Sequence, residues 1–264
     1  METDDNRRRR YARQTILPEI GEAGQARLSA AKVLVVGAGG LGSPLLLYLA
    51  AAGVGTVGVV DADTVDLGNL HRQIAHTTDR VGTPKVESAA RTVAALNPEV
   101  RIVAHQARLS GANAAQIVAE YDLVADGSDN FPTRYLVNDA CYLAGKPLVS
   151  AALLRFDGQV TTFKAHEAGD NPCYRCVYPS PPPPGTVPSC AEAGILGAVA
   201  GALGCLQATE VLKELLGIGD GLSGRLMMVD ALGARVRELR IHRDPACALC
   251  GAEASIRDLS RYGG

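Results

Sequence analysis

Short apolar runs separated by helix-length segments organise the first 150 residues. Lys32 to Val36 reads as a buried strand and passes directly into Gly37-Ala38-Gly39-Gly40-Leu41-Gly42, after which an apolar helix extends to about Ala52. Thr56 to Val60 is a second buried strand, so this stretch is a βαβ unit and implies a parallel sheet. Upstream, residues 8–30 are helical in pieces, broken at Pro18 and Gly21. Downstream, Thr83-Pro84 opens a helix that reaches Leu96 and stops at Asn97-Pro98. Arg101 to Ala104 alternates as a strand does. Ala112 to Glu120 is a helix, Leu123 to Ala125 a strand, Pro132 to Ala144 a helix and Pro147 to Ser150 a strand.

The pattern then changes. Asp157-Gly158 is a hairpin signal between strands at Leu153–Phe156 and Gln159–Phe163. Residues 179–188 hold six prolines and one glycine, which predicts an irregular surface loop. A helix follows from about Ala193 to Leu216, with Gly197 and Gly201 on one face where a neighbouring backbone can come close. Arg225 to Val229 and Arg235 to Arg240 are strands. The predicted fold class is α/β: a Rossmann-like nucleotide-binding sheet, parallel in the N-terminal half, continuing into a mixed or antiparallel half with a structural zinc site. No clean linker interrupts it, so one domain is expected. Its parts are a helical segment over residues 1–30, a nucleotide-binding half over 31–150, a second half over 151–251 and a tail over 252–264.

Composition narrows the class. A hydrophobic fraction of 47% in 264 residues excludes a disordered chain. A net charge of -2 gives no general attraction to nucleic acid or anionic lipid. Arg7 to Arg10 read as a solvated tail or helix start. The longest apolar segments, Leu41 to Val54 and Ala193 to Ala208, are shorter than the roughly 20 residues of a membrane span and read as buried helices. Met1 is followed by acids and arginines rather than by a signal sequence. Seven cysteines without an export signal point to the cytoplasm, and to metal or thiol chemistry rather than disulfides.

The glycine turn has the spacing Gly37-x-Gly39-x-x-Gly42 between a strand and a helix. Small residues there let backbone amides approach phosphates, and the helix N-terminus favours negative charge. Asp61 closes the second strand, where a carboxylate can accept both hydroxyls of a ribose. The run from Asp61 to Gln73 then carries Asn69 and Arg72, and Lys85 opens the next helix. A dehydrogenase needs the acid and has no use for the rest. Transfer of AMP to a carboxylate does, because it releases pyrophosphate, whose developing charge calls for Arg, Lys and a divalent cation.

Asp126-Gly127-Ser128-Asp129-Asn130 ends a strand, at the edge where open α/β sheets bind ligands. Asp126 and Asp129 are hard oxygen ligands suited to Mg2+. Equally, Asp129 or Asn130 would cap the helix that follows. Cys173-x-x-Cys176 and Cys247-x-x-Cys250 form a four-thiolate set of the structural zinc kind, tying the C-terminus to the body. A redox CxxC is the competing reading, and a second pair speaks against it. Cys141 and Cys205 fall in predicted helices and read as buried and inert. Cys190 leaves the proline-rich loop just before a helix start at Glu192 or Ala193. It is the one candidate nucleophile, because a nearby helix N-terminus lowers a thiol pKa; an incidental loop cysteine is the alternative.

Together these residues resemble the MoeB/ThiF/HesA group of adenylyltransferases, bacterial relatives of the ubiquitin-activating enzymes. The resemblance runs from about Arg10 to Gly251. It rests on Arg10-Tyr11-Ala12-Arg13-Gln14, the glycine turn, Asp61 through Gln73, Pro84-Lys85, Asp126 to Asn130, Pro172-Cys173-Tyr174-Arg175-Cys176 and the final cysteine pair. It implies a cytoplasmic homodimer that uses Mg2+ and ATP to adenylate the C-terminal Gly-Gly carboxylate of a small ubiquitin-fold sulfur carrier, MoaD- or ThiS-like. The products are an acyl-adenylate and pyrophosphate, serving molybdopterin or thiamine synthesis. By motif, Gly37, Gly39, Gly40, Asp61, Gly68 and Ser128 belong to the nucleotide site, and Asn69, Arg72 and Lys85 to its phosphates. Asp129 holds Mg2+, and Cys173, Cys176, Cys247 and Cys250 hold Zn2+. Residues 151–251 become the carrier-binding half. Arg13, a surface residue on sequence grounds alone, matches an arginine that reaches in from the other subunit.

Cys190 matches a loop cysteine that some members use for sulfur transfer and others do without. The chain stops at Gly264 with no room for the rhodanese domain of some relatives, so persulfide sulfur is expected from a separate sulfurtransferase. Gly263-Gly264 is attributed to chance in a chain with 29 glycines. Three alternatives stand beside this reading. A tRNA-modifying relative is disfavoured by the near-neutral charge and lack of a basic domain. An NAD-dependent oxidoreductase leaves Arg72, Lys85 and the cysteine pairs without purpose. An inactive half of a heterodimer is weakened because no expected ATP-site residue is missing. Neither a membrane nor a nucleic acid is an expected partner.

Overall fold

The computed structural model of the protein describes residues 2–183, 185–186 and 190–263. Its centre is one eight-stranded sheet in the order β3-β2-β1-β4-β5-β6-β7-β8. The strands are β1 (Lys32–Val36), β2 (Thr56–Val60), β3 (Arg101–His105), β4 (Leu123–Asp126), β5 (Leu148–Leu154), β6 (Asp157–Phe163), β7 (Arg225–Asp230) and β8 (Arg235–Arg240). The first five pair in parallel and the last three antiparallel, with the change between β5 and β6.

β1 shows why the central strands read as unbroken apolar runs. Val33, Leu34, Val35 and Val36 are all buried because both faces of the sheet are covered. Successive residues point to opposite faces. Val33 and Val35 pack with Leu45, Leu46 and Leu49 of α3 (Gly42–Ala51) and with Leu203 and Val211 of α9 (Gly197–Leu216). Leu34 and Val36 pack in a second cluster, with Val118 of α5 (Ala114–Ala119) and Tyr135 and Leu136 of α6 (Phe131–Leu143). Two further helices, α1 (Glu2–Thr15) and α2 (Gly21–Ala30), precede β1, α4 (Lys85–Leu96) joins β2 to β3, and two short helices, α7 (Tyr174–Val177) and α8 (Cys190–Ala193), precede α9. β2 and β4 flank β1 on opposite sides. The connections therefore diverge at the end of β1, opening a crevice beyond the carboxyl ends of the strands.

Two sequence expectations are corrected in the second half. β5 is one strand, uniting the predicted Pro147–Ser150 and Leu153–Phe156. It pairs Leu154 with Asp157, so the hairpin turns at Arg155-Phe156, with Arg155 at φ 58°. Gly158 therefore lies within the ladder opposite Leu153. Its glycine serves packing instead, since a Cβ there would run into Leu203 Cδ1 of α9. The predicted helix from Ala193 is also interrupted. A short helix, Cys190–Ala193, ends at Gly194, whose φ is 78°, and α9 starts at Gly197. Between them Ile195 bridges to Arg155. In α9 the close approaches are at Gly197, against the carbonyl of His71, and Gly204, whose Cβ would lie 2.6 Å from the Leu41 carbonyl oxygen. Gly201 faces open space.

Among the described residues no helix is long and apolar enough to cross a membrane. Gly158→Ala is expected to lower the unfolding free energy by about 1–3 kcal/mol, the usual cost of overpacking. A lower denaturant midpoint at unchanged m-value checks it.

Candidate functional site

The crevice at the end of β1 is a cavity lined by the glycine turn, both sides of the strand divergence and the start of α4. The turn is built on absent side chains. Gly37 has φ 91°, and a Cβ on it would lie 3.2 Å from the carbonyl oxygen of Gly127. A Cβ on Gly42 would collide with the Gly37 carbonyl. Gly37, Gly39 and Gly40 line the cavity. Asp61 fixes the turn from the neighbouring strand: its Oδ2 accepts the Ala38 N–H at 2.8 Å and its Oδ1 the Asp63 N–H at 2.8 Å. Each carboxylate oxygen retains a free lone pair for a ligand hydroxyl, and Asp61 lines the cavity.

The cations arrive from two directions. Lys85 is the first residue of α4 and is only 5% exposed. Its Nζ donates to Asp63 Oδ2 at 3.0 Å, so a rim carboxylate holds the ammonium in the cavity. Arg72 donates through Nη2 to Asn69 Oδ1 at 2.7 Å, and its Nη1 lies 2.7 Å from His71 Nε2. Asn69 closes a single 3-10 turn, Leu67–Asn69, whose entry is capped by Asp66 accepting from the Gly68 N–H at 2.7 Å. Arg72 lines the cavity, whereas Gly68 and Asn69 do not. Asn69 acts on Arg72, holding its guanidinium plane.

The opposite wall follows β4. Asn130 is the N-cap of α6, its Oδ1 accepting from the Thr133 N–H at 3.0 Å. The cap role therefore falls to Asn130, and Asp129 is left exposed and lining the cavity. Asp126 is buried below the floor, its Oδ1 accepting from the Ser128 N–H at 2.9 Å. Burial pushes its carboxyl pKa up, and it does not line the cavity. Of the two carboxylates weighed for Mg2+, only Asp129 presents itself there.

Gln73, Arg108 and Arg134, to which the sequence alone assigns no role, are among the further residues that line the cavity. Arg134 stands one helical turn beyond the cap Asn130, a spacing that could have marked it. Its Nη2 donates to the Ser128 carbonyl at 3.0 Å. Among the described residues, Gln73 Oε1, Ser128 Oγ and Arg134 Nε are buried without a hydrogen-bond partner. Unsatisfied buried polar atoms are costly, and three of them around one cavity suit a polar ligand.

One predicted catalytic residue lies outside this group. Arg13 is exposed in the last turn of α1 and does not line the cavity. Cys190 begins the short helix Cys190–Ala193, and its side chain lies outside the described residues, as does Gly264.

The cysteines form a separate centre. The Sγ atoms of Cys173, Cys176, Cys247 and Cys250 lie within 4.8 Å of one another. Individual separations are 3.8 Å for Cys173–Cys176, 3.5 Å for Cys173–Cys247 and 3.4 Å for Cys176–Cys250. A tetrahedral site with Zn–S of about 2.3 Å has edges of about 3.8 Å, so the thiols fit a four-coordinate ion. The knuckle is tied to the body by Arg175, which lies between the first two cysteines. Its Nε and Nη2 each donate to Asp139 at 2.8 Å, and Asp139 is fully buried on α6. The Tyr262 hydroxyl adds a bond to the same carboxylate at 2.6 Å.

Residues 11–249 match the family model of the ThiF family. The chain belongs to the ThiF family. Among its relatives, a protein of Thermus thermophilus named sulfur carrier protein adenylyltransferase is 55% identical over 255 residues, covering 96% of this chain and 94% of that one. The adenylyltransferase and sulfurtransferase MOCS3 of Bos taurus is 55% identical over 255 residues, covering 96% of this chain but only 55% of its own length. The SAMP-activating enzyme E1 of Haloferax volcanii is 49% identical over 252 residues, covering 95% and 92%. Among solved structures, Escherichia coli MccB superposes with TM-score 0.79 at 22% identity, covering 92% of this chain and 75% of that one. That likeness shows that the ThiF fold is shared, mixed sheet included.

Asp139→Ala is expected to destabilise the protein by about 3–5 kcal/mol, because Arg175 would stay buried without its counter-charge. Tyr262→Phe, which leaves the ion pair intact, is expected to cost about 1–3 kcal/mol. Paired denaturant titrations check the order.

Proposed function

We propose that this protein is an ATP-dependent adenylyltransferase that activates the C-terminal glycine carboxylate of a small ubiquitin-fold sulfur carrier. The observation that carries the reading is the convergence of Lys85, Arg72, Asp129 and the glycine turn on one cavity. The names of its ThiF relatives point to the same substrate class. In this reading the turn amides, Arg72 and Lys85 bind the triphosphate, Asp61 receives the ribose and Ser128 lies beside it. Asp129 would hold Mg2+, which supplies positive charge to the phosphates when bound. A carboxylate oxygen of the carrier attacks the α-phosphorus, the bond to the bridging oxygen of the β-phosphate breaks, and pyrophosphate leaves with the electron pair. In this reading the two cations face the charge as it develops, which is where fixed charge lowers a barrier most.

The rest of the assignment follows from this reaction. The carrier docks on the second half, where Val236 and Leu239 of β8 and Leu232 before it are exposed. That half and the nucleotide half act as one domain. A homodimer lets Arg13 serve the neighbouring cavity, which accounts for its exposed place on α1. Zn2+ in the cysteine centre is structural. Cys190 is the acceptor thiol if sulfur transfer passes through this chain.

Carrier-dependent exchange of labelled pyrophosphate into ATP tests the core of the reading. Exchange is expected only with a carrier ending in Gly-Gly. Lys85→Ala, Arg72→Ala and Asp129→Ala are each expected to lower it by about a hundredfold or more. An Asp129→Ala protein with full exchange would remove the metal role. Metal analysis is expected to find about one zinc per chain, lost in Cys247→Ser.

A further inference from the structure

His76 is buried, 5% exposed, and does not line the cavity. Its Nε2 lies 2.8 Å from the Ala38 carbonyl oxygen and its Nδ1 3.0 Å from Ser88 Oγ. A carbonyl only accepts, so Nε2 carries the hydrogen. In the neutral ring Nδ1 then accepts the Ser88 hydroxyl. Burial also pushes the pKa of His76 below its ordinary value, in keeping with an uncharged ring.

The two partners belong to the two halves of the phosphate-binding apparatus. Ala38 sits inside the glycine turn, and its N–H is already held by Asp61. His76 grips the carbonyl of the same residue, so Ala38 is fixed through both its backbone groups. Ser88 lies one turn into α4, whose first residue is Lys85. The segment carrying His76 is fastened to the same helix. Thr92 Oγ1 donates to the Ala75 carbonyl at 2.6 Å, and Arg80 Nη1 to the Ser88 carbonyl at 2.9 Å.

We propose that His76 is a positioning residue that sets the glycine turn against the helix bearing Lys85, through an N–H donated to Ala38 and a hydroxyl accepted from Ser88. It touches no nucleotide. It acts by keeping the turn amides and the Lys85 ammonium at one spacing, so that a triphosphate meets both sets of donors at once. The inference rests on the nucleotide reading of the cavity.

The test uses two substitutions that share the loss of the ring. A glutamine places its amide nitrogen near the position of Nε2 and keeps the donor to Ala38; an asparagine is one methylene too short to do so. His76→Gln and His76→Asn are expected to lose similar thermal stability and to keep kcat for exchange. The asparagine variant is expected to raise KM and Kd for ATP about tenfold, the scale of one unmade buried hydrogen bond, with the glutamine variant within about threefold of wild type. In the ligand-free protein, amide exchange at Gly39 to Leu41 is expected to quicken about tenfold in the asparagine variant only. Equal behaviour of the two variants in both ATP binding and amide exchange would overturn the proposal. If the wild-type chain fails to bind ATP while amide exchange still separates the variants, the nucleotide reading falls and the positioning of the turn by His76 stands.

Discussion

The site depends on a steric constraint at the end of β1, where the chain must double back so tightly that Gly42 has no room for a side chain beside the Gly37 carbonyl. That turn lines the crevice made by the divergence of β2 and β4 from β1. A turn of glycines is entropically expensive to order. It is accordingly held by residues that leave its inner face free: Asp61 on the Ala38 N–H, His76 on the Ala38 carbonyl, and the Val60 carbonyl, which accepts the Gly37 N–H at 2.9 Å. The site's precision comes from neighbouring strands and α4 rather than from the turn itself.

The same logic governs the charged side chains. Lys85 is held by a rim carboxylate, Arg72 by an amide, and Arg134 by a backbone carbonyl. Two of these three restraints are neutral, so they orient a cation without cancelling its charge. Asp63, the exception, is exposed, and its pairing with Lys85 is weakened by solvent screening. The cysteine centre shows the opposite arrangement. Arg175 there meets Asp139 in a fully buried, bidentate pair, which fixes geometry and has no charge to lend. A cation meant for a ligand is partnered lightly; one meant for architecture is neutralised.

Much of this was legible in the residue order. The bounds of β1 and β2 emerge directly because a strand buried on both faces is a continuous apolar run, with glycine just after β1 at Gly37 and just before β2 at Gly55. The paired CxxC spacing marked the thiol cluster because four such ligands have few other uses. The hairpin after β5 was misplaced because Asp157-Gly158 is a strong local turn signal, whereas Gly158 answers to Leu203, far along the chain. The helix break at Gly194 was hidden in the same way, by an apolar stretch long enough to read as one helix. Arg108 was missed because a lone arginine has no periodicity and only the tertiary fold brings it to a cavity, whereas Arg134 carried a signal in its place one turn beyond the cap Asn130. Spacing alone could not tell Asp126 from Asp129; the family resemblance singled out Asp129, and the sheet buries Asp126.

The far edge of the sheet extends the argument from site to partner. β8 is an edge strand, and such edges invite unwanted pairing unless they are guarded. Here Arg235, Arg237 and Arg240 are exposed along it, with Arg235 paired to Asp230 at 2.8 Å and Glu238 to Arg225 at 3.0 Å. Two copies of so basic an edge repel each other. Apolar Val236 and Leu239 stand exposed between those charges, a combination that suits an acidic, ubiquitin-fold surface better than a second copy of this strand. On the proposed function the sheet carries two kinds of recognition at its two ends: fixed cations and the glycine turn for the triphosphate at the parallel end, and a charged, partly apolar edge for the carrier at the antiparallel end. The strand reversal at β5 and β6 is the feature that lets one continuous sheet present both.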